Sequence, residues 1–361
     1  MRRICFFSGD ITRSGGTEKV AVQIMNGLVK ENDVSVLSLT MSAGDSFFEI
    51  DERIKAEALF QSEPNGIRQY AQIVHRLRQY LRREKIEVLI DVDTILDMFS
   101  VPAVKLFPAP QLKLISWEHF NFYESMGNRF RVPIRKLITK QADAVVTLTK
   151  EDQRDFENYY KGKTKIKQIY NPILKEKSRV DYDISSKTII SVGRLSRQKG
   201  FDYLVDIARL IQEKHPDWQW LILGEGEERP LLEAKIAELG VSIVRLVGKV
   251  DNVADYLGEA AIFVLTSRYE GFPLVLIEAK ANRLPIVSFK CKTGPAELVQ
   301  DGINGYLVDC FDIQEMADSI IQLIENDEIR YSFSNKAELD TEKMNYKGIM
   351  EQWRQLLNEL N

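Results

Sequence analysis

Two glutamates give the strongest chemical signal in this sequence. Glu270 and Glu278 are separated by seven residues, in a segment that follows the strand candidate Ile262–Leu265 and is predicted to open a helix. Pro273 fits the first helical turn, where its missing N–H costs nothing. The free N–H groups of that turn lie at the positive end of the helix. The segment therefore predicts a site for an anionic ligand.

The carboxylates of this segment suit a ligand that carries hydroxyl groups. Gly271 lets the backbone approach the ligand closely. Glu278 follows Leu274 by one turn on the same helix face, where its carboxylate can bind a pair of ribose hydroxyls. Glu270, in the loop, can bind sugar hydroxyls. The alternative interpretation is a surface acid in front of an ordinary amphipathic helix.

Two cations after the strand candidate Thr188–Val192 are the second signal. Arg194 offers a planar fork for phosphate and Lys199 a point charge. Both lie at the carboxyl end of a strand, where open α/β sheets bind ligands, and two cations can stabilise a leaving diphosphate without a metal. The alternative is a solvated basic loop. The P-loop pattern G-x-x-x-x-G-K-[ST] is absent, and Gly224 marks a tight turn in a weaker motif.

A glycine pair occupies the corresponding position in the first half of the chain. Gly15 and Gly16 follow the strand candidate Ile4–Phe7 and precede the helix candidate Val20–Leu28. Glycines there allow backbone amides to face a phosphate or a sugar. The pattern is not G-x-G-x-x-G, which argues against a nicotinamide or flavin site. A plain turn between strand and helix is the alternative.

Of the three histidines, His119 follows a strand candidate, Leu112–Trp117. It can bind a hydroxyl of a donor sugar or orient an acceptor, whereas the alternative is a histidine with a structural role. Its neighbours Glu118 and Asn121 are candidates for contact with the acceptor.

Short apolar runs alternate with helical patterns along the 361 residues. Such runs are typical of strands buried on both faces of a parallel sheet, and their alternation with helices indicates βαβ units. Two such sets predict two Rossmann-like, doubly wound α/β domains, at residues 1–172 and 173–345, with the charged stretch Lys175–Asp183 as the linker. The other strand candidates are Val34–Leu39, Ala56–Phe60, Val88–Val92, Val145–Leu148, Ile166–Tyr170, Trp218–Leu223, Ile243–Val247, Ile286–Phe289 and Gly305–Val308, and the other helix candidates are Ile67–Arg83, Phe201–Lys214, Leu231–Leu239, Met316–Ile324 and Tyr346–Leu360.

Composition excludes several classes of protein. The apolar fraction of 44% and the charged fraction of 28% are ordinary for a globular protein. No apolar run reaches about 18 residues, so no membrane span is predicted, and Ile4–Phe7 is too short for a signal peptide. Three distant cysteines without C-x-x-C argue against a disulfide framework or a zinc site. We therefore expect a cytoplasmic protein.

Two basic segments could contact an anionic membrane. The helix candidate Ile67–Arg83 carries arginines opposite its apolar positions, and a second cluster lies at residues 129–140. Basic amphipathic helices can lie on anionic membranes, although such a face is often only solvated. A peripheral association with the inner face of the plasma membrane is therefore allowed. The arginines of the first segment are Arg68, Arg76, Arg78, Arg82 and Arg83, and the second cluster comprises Arg129, Arg131, Arg135, Lys136 and Lys140.

Taken in order along the chain, these motifs resemble those of the retaining glycosyltransferases of family 4, which have the GT-B fold. The resemblance is strong from residue 188 to about residue 325 and thinner over the first domain. The matching residues are Gly15, Gly16, His119, Gly193, Arg194, Leu195, Lys199, Gly200, Glu270 and Glu278, with the stretches 293–298 and 301–305.

The resemblance implies two domains that face each other across a cleft, with helix 346–361 packing back on the first. The first domain would bind the acceptor and the second the nucleotide sugar. Arg194 and Lys199 would hold the diphosphate, Glu278 the ribose and Glu270 the sugar hydroxyls. The catalytic residues would be Arg194, Lys199, Glu270 and His119, whereas Glu278 would only bind the donor. The remaining donor-binding candidates are Gly15, Gly16, Gly193, Gly224, Gly271, Phe272, Pro273, Leu274 and Val275.

Asp91 and Asp93 spell D-x-D, a metal motif in the other large glycosyltransferase fold. Here the motif ends the buried strand candidate Val88–Val92, so we favour polar residues at a strand end over a metal site. We expect neither a metal nor a cofactor.

The reaction that the resemblance implies is transfer of a hexosyl group from a UDP-sugar to a lipid-linked or glycolipid glycan, with retention of configuration, in the synthesis of a cell-surface polysaccharide such as a capsule or lipopolysaccharide. A nucleotide-sugar epimerase, a phosphorylase of GT-B shape and a non-catalytic nucleotide-sugar-binding protein remain alternatives. No nucleic-acid partner is expected. The donor sugar, the acceptor and the linkage position are left open by the sequence.

Overall fold

The computed structural model describes residues 1–44, 46–65, 68–105, 112–125, 127–159, 162–173 and 181–360. The chain divides into two units, Met1–Pro172 with Tyr346–Asn361 and Ile173–Asn345. Residues 174–180 of the predicted linker lie outside the described residues.

The first unit is built on a seven-stranded parallel sheet. Its strands are β1 (Arg3–Ser8), β2 (Asp33–Ser38), β3 (Lys55–Ala58), β4 (Val88–Asp91), β5 (Lys113–Trp117), β6 (Ala144–Thr147) and β7 (Lys165–Gln168). Their order is β3-β2-β1-β4-β5-β6-β7, so the strand order reverses between β1 and β4. At such a switch the loops after the two strands diverge and leave a crevice.

Helices connect these strands. They are α1 (Gly16–Leu28), α2 (Tyr70–Arg83), α3 (Asp97–Lys105), α4 (Arg131–Gln141) and α5 (Lys150–Tyr159). Because alternate strand residues point to opposite faces, Cys5, Phe7 and Leu114 pack with α2, α3 and α4 in one buried cluster. The predicted start of α2 at Ile67 lies outside the described residues, and the helix begins at Tyr70.

The second unit contains a six-stranded parallel sheet with the order β10-β9-β8-β11-β12-β13. The strands are β8 (Thr188–Val192), β9 (Gln219–Leu223), β10 (Val244–Gly248), β11 (Ile262–Leu265), β12 (Ile286–Phe289) and β13 (Gly305–Val308), and the helices are α6 (Phe201–Lys214), α7 (Arg229–Leu239), α8 (Val253–Gly258), α9 (Leu274–Ala281), α10 (Pro295–Leu298), α11 (Ile313–Glu325) and α12 (Asp327–Asn335). The strand order reverses between β8 and β11, so the loops after these two strands mark the crevice of this sheet.

The prediction of two doubly wound α/β domains is confirmed. Every strand candidate corresponds to a strand of the structure, with ends that differ by no more than two residues. Phe201–Lys214 forms a helix over the predicted range, and its predicted apolar positions pack into the core of the second unit. Among the described residues, no helix combines the length and the apolar character needed to cross a membrane.

The last helix, α13 (Tyr346–Glu359), belongs to the first unit although it follows the second in the sequence. Trp353 and Leu356 are fully buried on its inner face. Met350 packs so closely on α1 that a Cβ atom added to Gly27 would lie 2.5 Å from its Cε. The helix therefore completes the core of the first unit.

Candidate active site

The loops after β8 and β11 meet at the switch point of the second sheet. The Arg268 N–H donates to the Gln198 carbonyl at 2.8 Å, and the Thr266 hydroxyl donates to the Lys199 carbonyl at 3.1 Å. Gly200 has a φ of 64°, and a Cβ atom on it would lie 2.1 Å from the Thr266 carbonyl oxygen. Only glycine fits both the left-handed backbone and this close approach.

These two loops bring Lys199 and Glu270 together. The Lys199 ammonium lies 2.7 Å from Glu270 Oε1, and the two side chains are only 16% and 6% exposed. The Ser267 hydroxyl donates to the same oxygen at 2.6 Å. The stem of Lys199 crosses Gly193, where an added Cβ atom would lie 3.1 Å from Lys199 Cε. A fixed cation and a fixed carboxylate thus share the crevice that sheet topology assigns to ligands.

Arg194, the second predicted phosphate ligand, has a different environment. Its guanidinium pairs with Glu227 at 3.0 Å, and the two side chains are 73% and 58% exposed. The neighbouring turn is tight, because Gly224 has a φ of 137° and an added Cβ atom would lie 1.9 Å from the Gly193 carbonyl oxygen. The structure therefore places Arg194 on an exposed loop, whereas Lys199 is held in a largely buried pair.

The segment Glu270–Glu278 opens α9 as predicted, with one correction. Pro273 is the residue before the helix, with a ψ of 100°, and does not lie in the first helical turn. It is braced from the loop after β12, since a Cβ atom on Gly294 would lie 2.5 Å from Pro273 Cδ and 2.8 Å from the Gly271 carbonyl oxygen. Phe272 is buried with these residues.

The partly accessible residues of α9 are Ala281 and three of the predicted site residues. Leu276, Ile277, Ala279 and Lys280 are buried, whereas Leu274, Val275 and Glu278 remain partly accessible. The three accessible site residues follow the spacing i, i+1 and i+4, so they form one patch at the amino-terminal end of the helix. Glu278 therefore lies on the same face as the first exposed amides.

The loop after β12 completes the surroundings of Glu270. The Thr293 hydroxyl donates to the Glu270 carbonyl at 2.7 Å. Burial raises the pKa of the Cys291 thiol, and the negative charge of Glu270 adds to this effect. Since the thiolate is the nucleophilic form, Cys291 is not a nucleophile here.

In the first unit, Gly15 and Gly16 lie at the start of α1, which begins at Gly16 and not at the predicted Val20. Gly15 precedes the helix and Gly16 is its first residue. The Glu18 side chain folds back over this turn, so that a Cβ atom on Gly15 would lie 2.3 Å from Glu18 Oε2. Burial raises the pKa of the Glu18 carboxyl. The amino-terminal end of α1 is thus covered by a carboxyl group of the chain itself.

His119 follows β5 on the same side as Trp117, because residues two apart in an extended chain share a face. The two rings lie 4.4 Å apart, and His119 is only 7% exposed. Burial lowers the pKa of its imidazole to about 3, outweighing the opposite effect of Glu118. His119 is therefore neutral at physiological pH.

Glu118 points to the opposite face, which contradicts the predicted contact with an acceptor. Its side chain is fully buried, and it accepts hydrogen bonds from Arg135 Nε at 2.7 Å and from the Thr94 hydroxyl at 2.9 Å. Asn121 is also buried, and its Oδ1 accepts from the Tyr123 N–H at 3.0 Å. Both residues hold the shape of the loop that carries His119.

The D-x-D pair is divided between two environments. Asp93 binds the Arg131 guanidinium through both oxygens at 2.8 Å. Asp91 accepts from the Ser100 hydroxyl at 2.8 Å and lies beside Asp97, which is also fully buried. Burial raises the pKa of Asp91 to about 7 and that of Asp97 well above its usual range. The two carboxyls therefore hold a proton at neutral pH.

Metal-ligating side chains do not gather elsewhere in the described ranges. There, no group of three or more His, Cys, Asp or Glu side chains has an arrangement suited to a metal ion.

The two basic segments are less available than the sequence suggested. Arg76 donates to the Leu59 carbonyl at 2.6 Å and covers the Phe60 ring, while Arg83 pairs with Glu57 at 2.7 Å. Arg76 and Arg83 are nevertheless exposed, as are Arg68 and Arg82, whereas Arg78 is half-buried. In the second cluster, Arg131 and Arg135 are buried, so the prediction of an exposed basic face there was wrong for these two.

Ser267 was not among the residues named from the sequence, and no contact with Glu270 or Glu118 was predicted for Thr293 or Arg135. Ser267 and Thr293 bind Glu270, and Arg135 binds Glu118. A usable signal existed for Ser267 and Thr293, because both lie in loops that follow the carboxyl ends of strands, where open α/β sheets bind ligands. None existed for Arg135, since its burial depends on a partner 17 positions away.

Comparisons with known proteins agree with the fold described above. The family model described as Glycosyltransferase Family 4 matches residues 14–177, and the model described as Glycosyl transferases group 1 matches residues 175–340. An uncharacterized glycosyltransferase of Haemophilus influenzae is 34% identical, over 99% of this chain and 100% of its own. The amylovoran biosynthesis glycosyltransferase AmsD of Erwinia amylovora is 27% identical, over 99% and 100% of the two chains.

A Campylobacter jejuni enzyme is also similar over its whole length. It is the GalNAc-α-(1->4)-GalNAc-α-(1->3)-diNAcBac-PP-undecaprenol α-1,4-N-acetyl-D-galactosaminyltransferase, 27% identical over 100% of this chain and 99% of its own. Among solved structures, a mutant of S. aureus TarM has a TM-score of 0.84 at 17% identity, covering 99% and 100% of the two chains. Anabaena HepE in complex with UDP-glucose has a TM-score of 0.81 at 19% identity, covering 99% of each. The chain belongs to the family 4 glycosyltransferases and has their GT-B fold.

Proposed function

We propose that this glycosyltransferase moves a hexosyl group from a UDP-sugar to a lipid-linked or glycolipid glycan in the assembly of a surface polysaccharide, with retention of configuration and without a metal. The observation that carries the proposal is the Lys199–Glu270 pair at the switch point of the second sheet. It provides a cation for a diphosphate and a carboxylate for sugar hydroxyls within one hydrogen-bond length of each other.

The pair suggests how the donor is bound. Before binding, Glu270 neutralises Lys199, so neither charge is left unpaired in a largely buried crevice. An arriving diphosphate offers the ammonium a stronger anionic partner. Lys199 then passes to the diphosphate, and Glu270 becomes available to accept hydrogen bonds from the sugar hydroxyls. Binding of the donor thereby exchanges the ion pair for contacts between each of the two side chains and the donor.

Arg194 supplies the second cation. Its partner Glu227 is exposed, as is Arg194 itself, and exposed pairs contribute only about 0–1 kcal/mol. Exchange of Glu227 for a phosphate therefore costs little, and the guanidinium can move to the diphosphate without disturbing the core. Together with Lys199, it stabilises the charge that develops on the departing UDP.

The accessible patch of α9 would bind the remaining groups of the donor, a phosphate oxygen and the ribose. The amides at Leu274 and Val275 lie at the positive end of the helix and suit a phosphate oxygen. Glu278, on the same accessible face, suits the two ribose hydroxyls. Gly271 and Gly294 let the backbone fold closely in front of the helix.

Two groups of the site are unable to attack the anomeric carbon, which favours the same-face attack that the family resemblance implies. The Cys291 thiol is held protonated. Once Lys199 has passed to the diphosphate, the Glu270 carboxylate would be engaged by the Ser267 hydroxyl and the sugar hydroxyls. We infer that the acceptor hydroxyl attacks on the face that UDP leaves, within a short-lived ion pair, which retains the configuration. In the first unit, the neutral His119 would orient a sugar hydroxyl.

The acceptor class is inferred from relatives. The Campylobacter jejuni relative is named for an undecaprenol-diphosphate-linked glycan, and the Erwinia amylovora relative for amylovoran biosynthesis. A UDP donor is favoured because TarM and HepE were each crystallised with UDP or a UDP-sugar. A lipid-linked acceptor would bring the enzyme to the inner membrane face. We propose a cytoplasmic protein that associates there peripherally through exposed arginines, among them Arg68 before α2 and Arg82 within it.

Transfer from a panel of UDP-sugars to undecaprenol-diphosphate-linked glycans tests this function. We expect product with one donor, and loss of product in Lys199→Ala and in Glu270→Ala while both remain folded. Lys187→Ala is the matched control, because this lysine pairs with Asp217 on the exposed surface of the same unit. Turnover equal to wild type in both site variants would exclude the proposal. Epimerised donor or phosphate-dependent cleavage would indicate an epimerase or a phosphorylase instead.

UDP binding can be measured without knowledge of the acceptor. A ligand above its dissociation constant raises the melting temperature by mass action. We expect UDP to stabilise the wild-type protein and Lys187→Ala, and to stabilise Lys199→Ala much less. Stabilisation by UDP without transfer to any acceptor or to water would favour a binding protein.

A further inference from the structure

Three aromatic rings in tilted and edge-on contact, called the aromatic stack below, connect α13 with His119. The Trp353 ring of α13 lies 4.8 Å from the Trp117 ring at the end of β5, and Trp117 lies 4.4 Å from the His119 ring. Trp117 and Trp353 are buried to 1% and 0% exposure. The stack therefore runs without solvent between its rings, from a helix at the end of the sequence to a predicted site residue.

The imidazole has little else to fix its orientation on this side. His119 Nε2, Trp117 Nε1 and Trp353 Nε1 are all buried without a hydrogen-bond partner among the described residues. The charged groups near the imidazole are Glu118, which points to the opposite face, and Arg131. Because no hydrogen bond anchors Nε2, the orientation of the ring depends on its packing against Trp117.

We propose that Trp353 is a positioning residue for sugar transfer, which holds the His119 imidazole in place through Trp117. The kinetic part of this inference rests on the proposed function. The coupling between α13 and His119 is a property of the first unit alone, and it can be measured without a substrate.

Loss of the Trp353 ring leaves a cavity on one side of Trp117 that the surroundings fill only in part. Trp117 can then tilt toward the cavity, and His119 loses the ring against which it packs. Water reaches the imidazole more easily, so the protonated form becomes less unfavourable. The neutral, fixed hydrogen-bonding group at the end of β5 is replaced by one with several orientations.

Three variants separate positioning from stability. Trp353→Leu removes the ring, and Trp353→Phe keeps an aromatic ring in the stack. Met350→Ala is the matched control, because Met350 lies on the same helix but packs on Gly27 of α1. The histidine ring protons are followed by NMR during a pH titration, with His75 and His215 as the internal reference among the three histidines.

We expect the His119 signals to stay unchanged down to about pH 4 in the wild type, in Trp353→Phe and in Met350→Ala, and to titrate at a higher pH in Trp353→Leu. With a donor and an acceptor, kcat in Trp353→Leu falls on the order of tenfold, while KM for the donor changes little, and Trp353→Phe restores most of the rate. Met350→Ala lowers the melting temperature without this loss. A titration and a rate in Trp353→Leu that match those of Met350→Ala would overturn the proposal.

The reciprocal measurement covers the case in which Trp353→Leu does not fold. His119→Ala removes the ring at the other end of the stack, and the indole N–H signals of the four tryptophans are recorded. We expect shifts for Trp117 and Trp353, and none for Trp218 and Trp220 in the second unit. An unshifted Trp353 signal would refute the coupling, and this result is independent of any transferase activity.

Discussion

The ammonium group of Lys199 lies 2.7 Å from Glu270 Oε1, although the two residues are 71 positions apart in the sequence. The strand order of the second sheet makes this pairing possible, because β8 and β11 are neighbours. The site is thus electrostatically balanced before any ligand binds. The consequences of that balance can be measured.

A double-mutant cycle on Lys199 and Glu270 should reveal strong coupling. Removal of one partner from a largely buried pair leaves the other charge without compensation. We expect Lys199→Ala to lower the free energy of unfolding by about 1–3 kcal/mol, and the double variant with Glu270→Ala to recover part of this loss. Urea unfolding provides the measurement.

The exposed pair in the same unit supplies the control for that cycle. Arg194→Ala with Glu227→Ala should show a coupling below about 1 kcal/mol. Equal coupling energies for the two pairs would mean that the burial of Lys199 and Glu270 has no energetic consequence.

Release of Arg194 should improve the binding of UDP. Glu227→Ala removes the partner that the guanidinium must leave, so we expect the Kd for UDP to fall by up to about fivefold, the equivalent of one exposed ion pair. Arg194→Ala should raise the Kd. Calorimetric titration at two salt concentrations measures both effects. An unchanged Kd in both variants would show that Arg194 does not contact the nucleotide.

Gly200→Ala should disturb the site more than its backbone angle alone explains. Gly200 and Gly240 have φ values of 64° and 63°, but a Cβ atom on Gly200 would lie 2.1 Å from the Thr266 carbonyl oxygen, whereas a Cβ atom on Gly240 would enter space left open by the described residues. Both alanines are strained by about 1–2 kcal/mol. We expect a further loss of about 1–3 kcal/mol only at Gly200, from overpacking.

Donor kinetics extend that comparison. Because Gly200 adjoins Lys199, Gly200→Ala should also raise KM for the donor, while Gly240→Ala leaves it unchanged. Equal free energies of unfolding for the two variants would show that the loops after β8 and β11 can separate without cost.

The buried carboxyl pair Asp91–Asp97 should make the protein less stable as the pH rises. The pKa of Asp91 is raised to about 7 in the folded state, above the value of about 3.9 in an unfolded chain. Its contribution is therefore fully present below about pH 4 and is lost as the pH rises toward about 7. Asp97→Asn leaves a neutral donor in place of the carboxyl.

Unfolding by urea from pH 4 to pH 8 tests whether the free energy of unfolding falls in this way as the pH rises. We expect the stability of Asp97→Asn relative to wild type to increase steadily across the range. Asp51→Asn serves as the control, because hydrogen bonds from Arg53 hold the pKa of Asp51 at about 2, so its effect is confined to acid solution. A difference between Asp97→Asn and wild type that is independent of pH would refute the shared proton.

The architecture and the loops of the candidate site could be predicted from the sequence for the same reason. Buried parallel strands are short, continuous apolar runs, so Thr188–Val192 and Ile262–Leu265 were located correctly. The residues that follow such strands must reach the crevice. Lys199 and Glu270 were thus assigned to the same site, although nothing in the sequence predicted that they would bind each other.

The environments of Glu118, Arg194 and Pro273 could not be derived in this way. Glu118 is buried because an arginine of α4 turns inward to meet it, and a local pattern places an arginine in solvent. Arg194 pairs with a glutamate from the loop after the neighbouring strand. Pro273 takes an extended ψ instead of a helical one where Gly294 packs against its ring. Each outcome depends on a tertiary neighbour rather than on nearby sequence.

The position of α13 has a consequence for how the protein is made. The second unit is one uninterrupted stretch of chain, whereas the first needs a helix that the ribosome delivers only after that stretch. The central unit can thus reach its native state while the nascent amino-terminal half still exposes the apolar surface that Trp353 and Met350 will cover. We therefore expect the amino-terminal half to be the part that chaperones must protect during synthesis, despite being translated first.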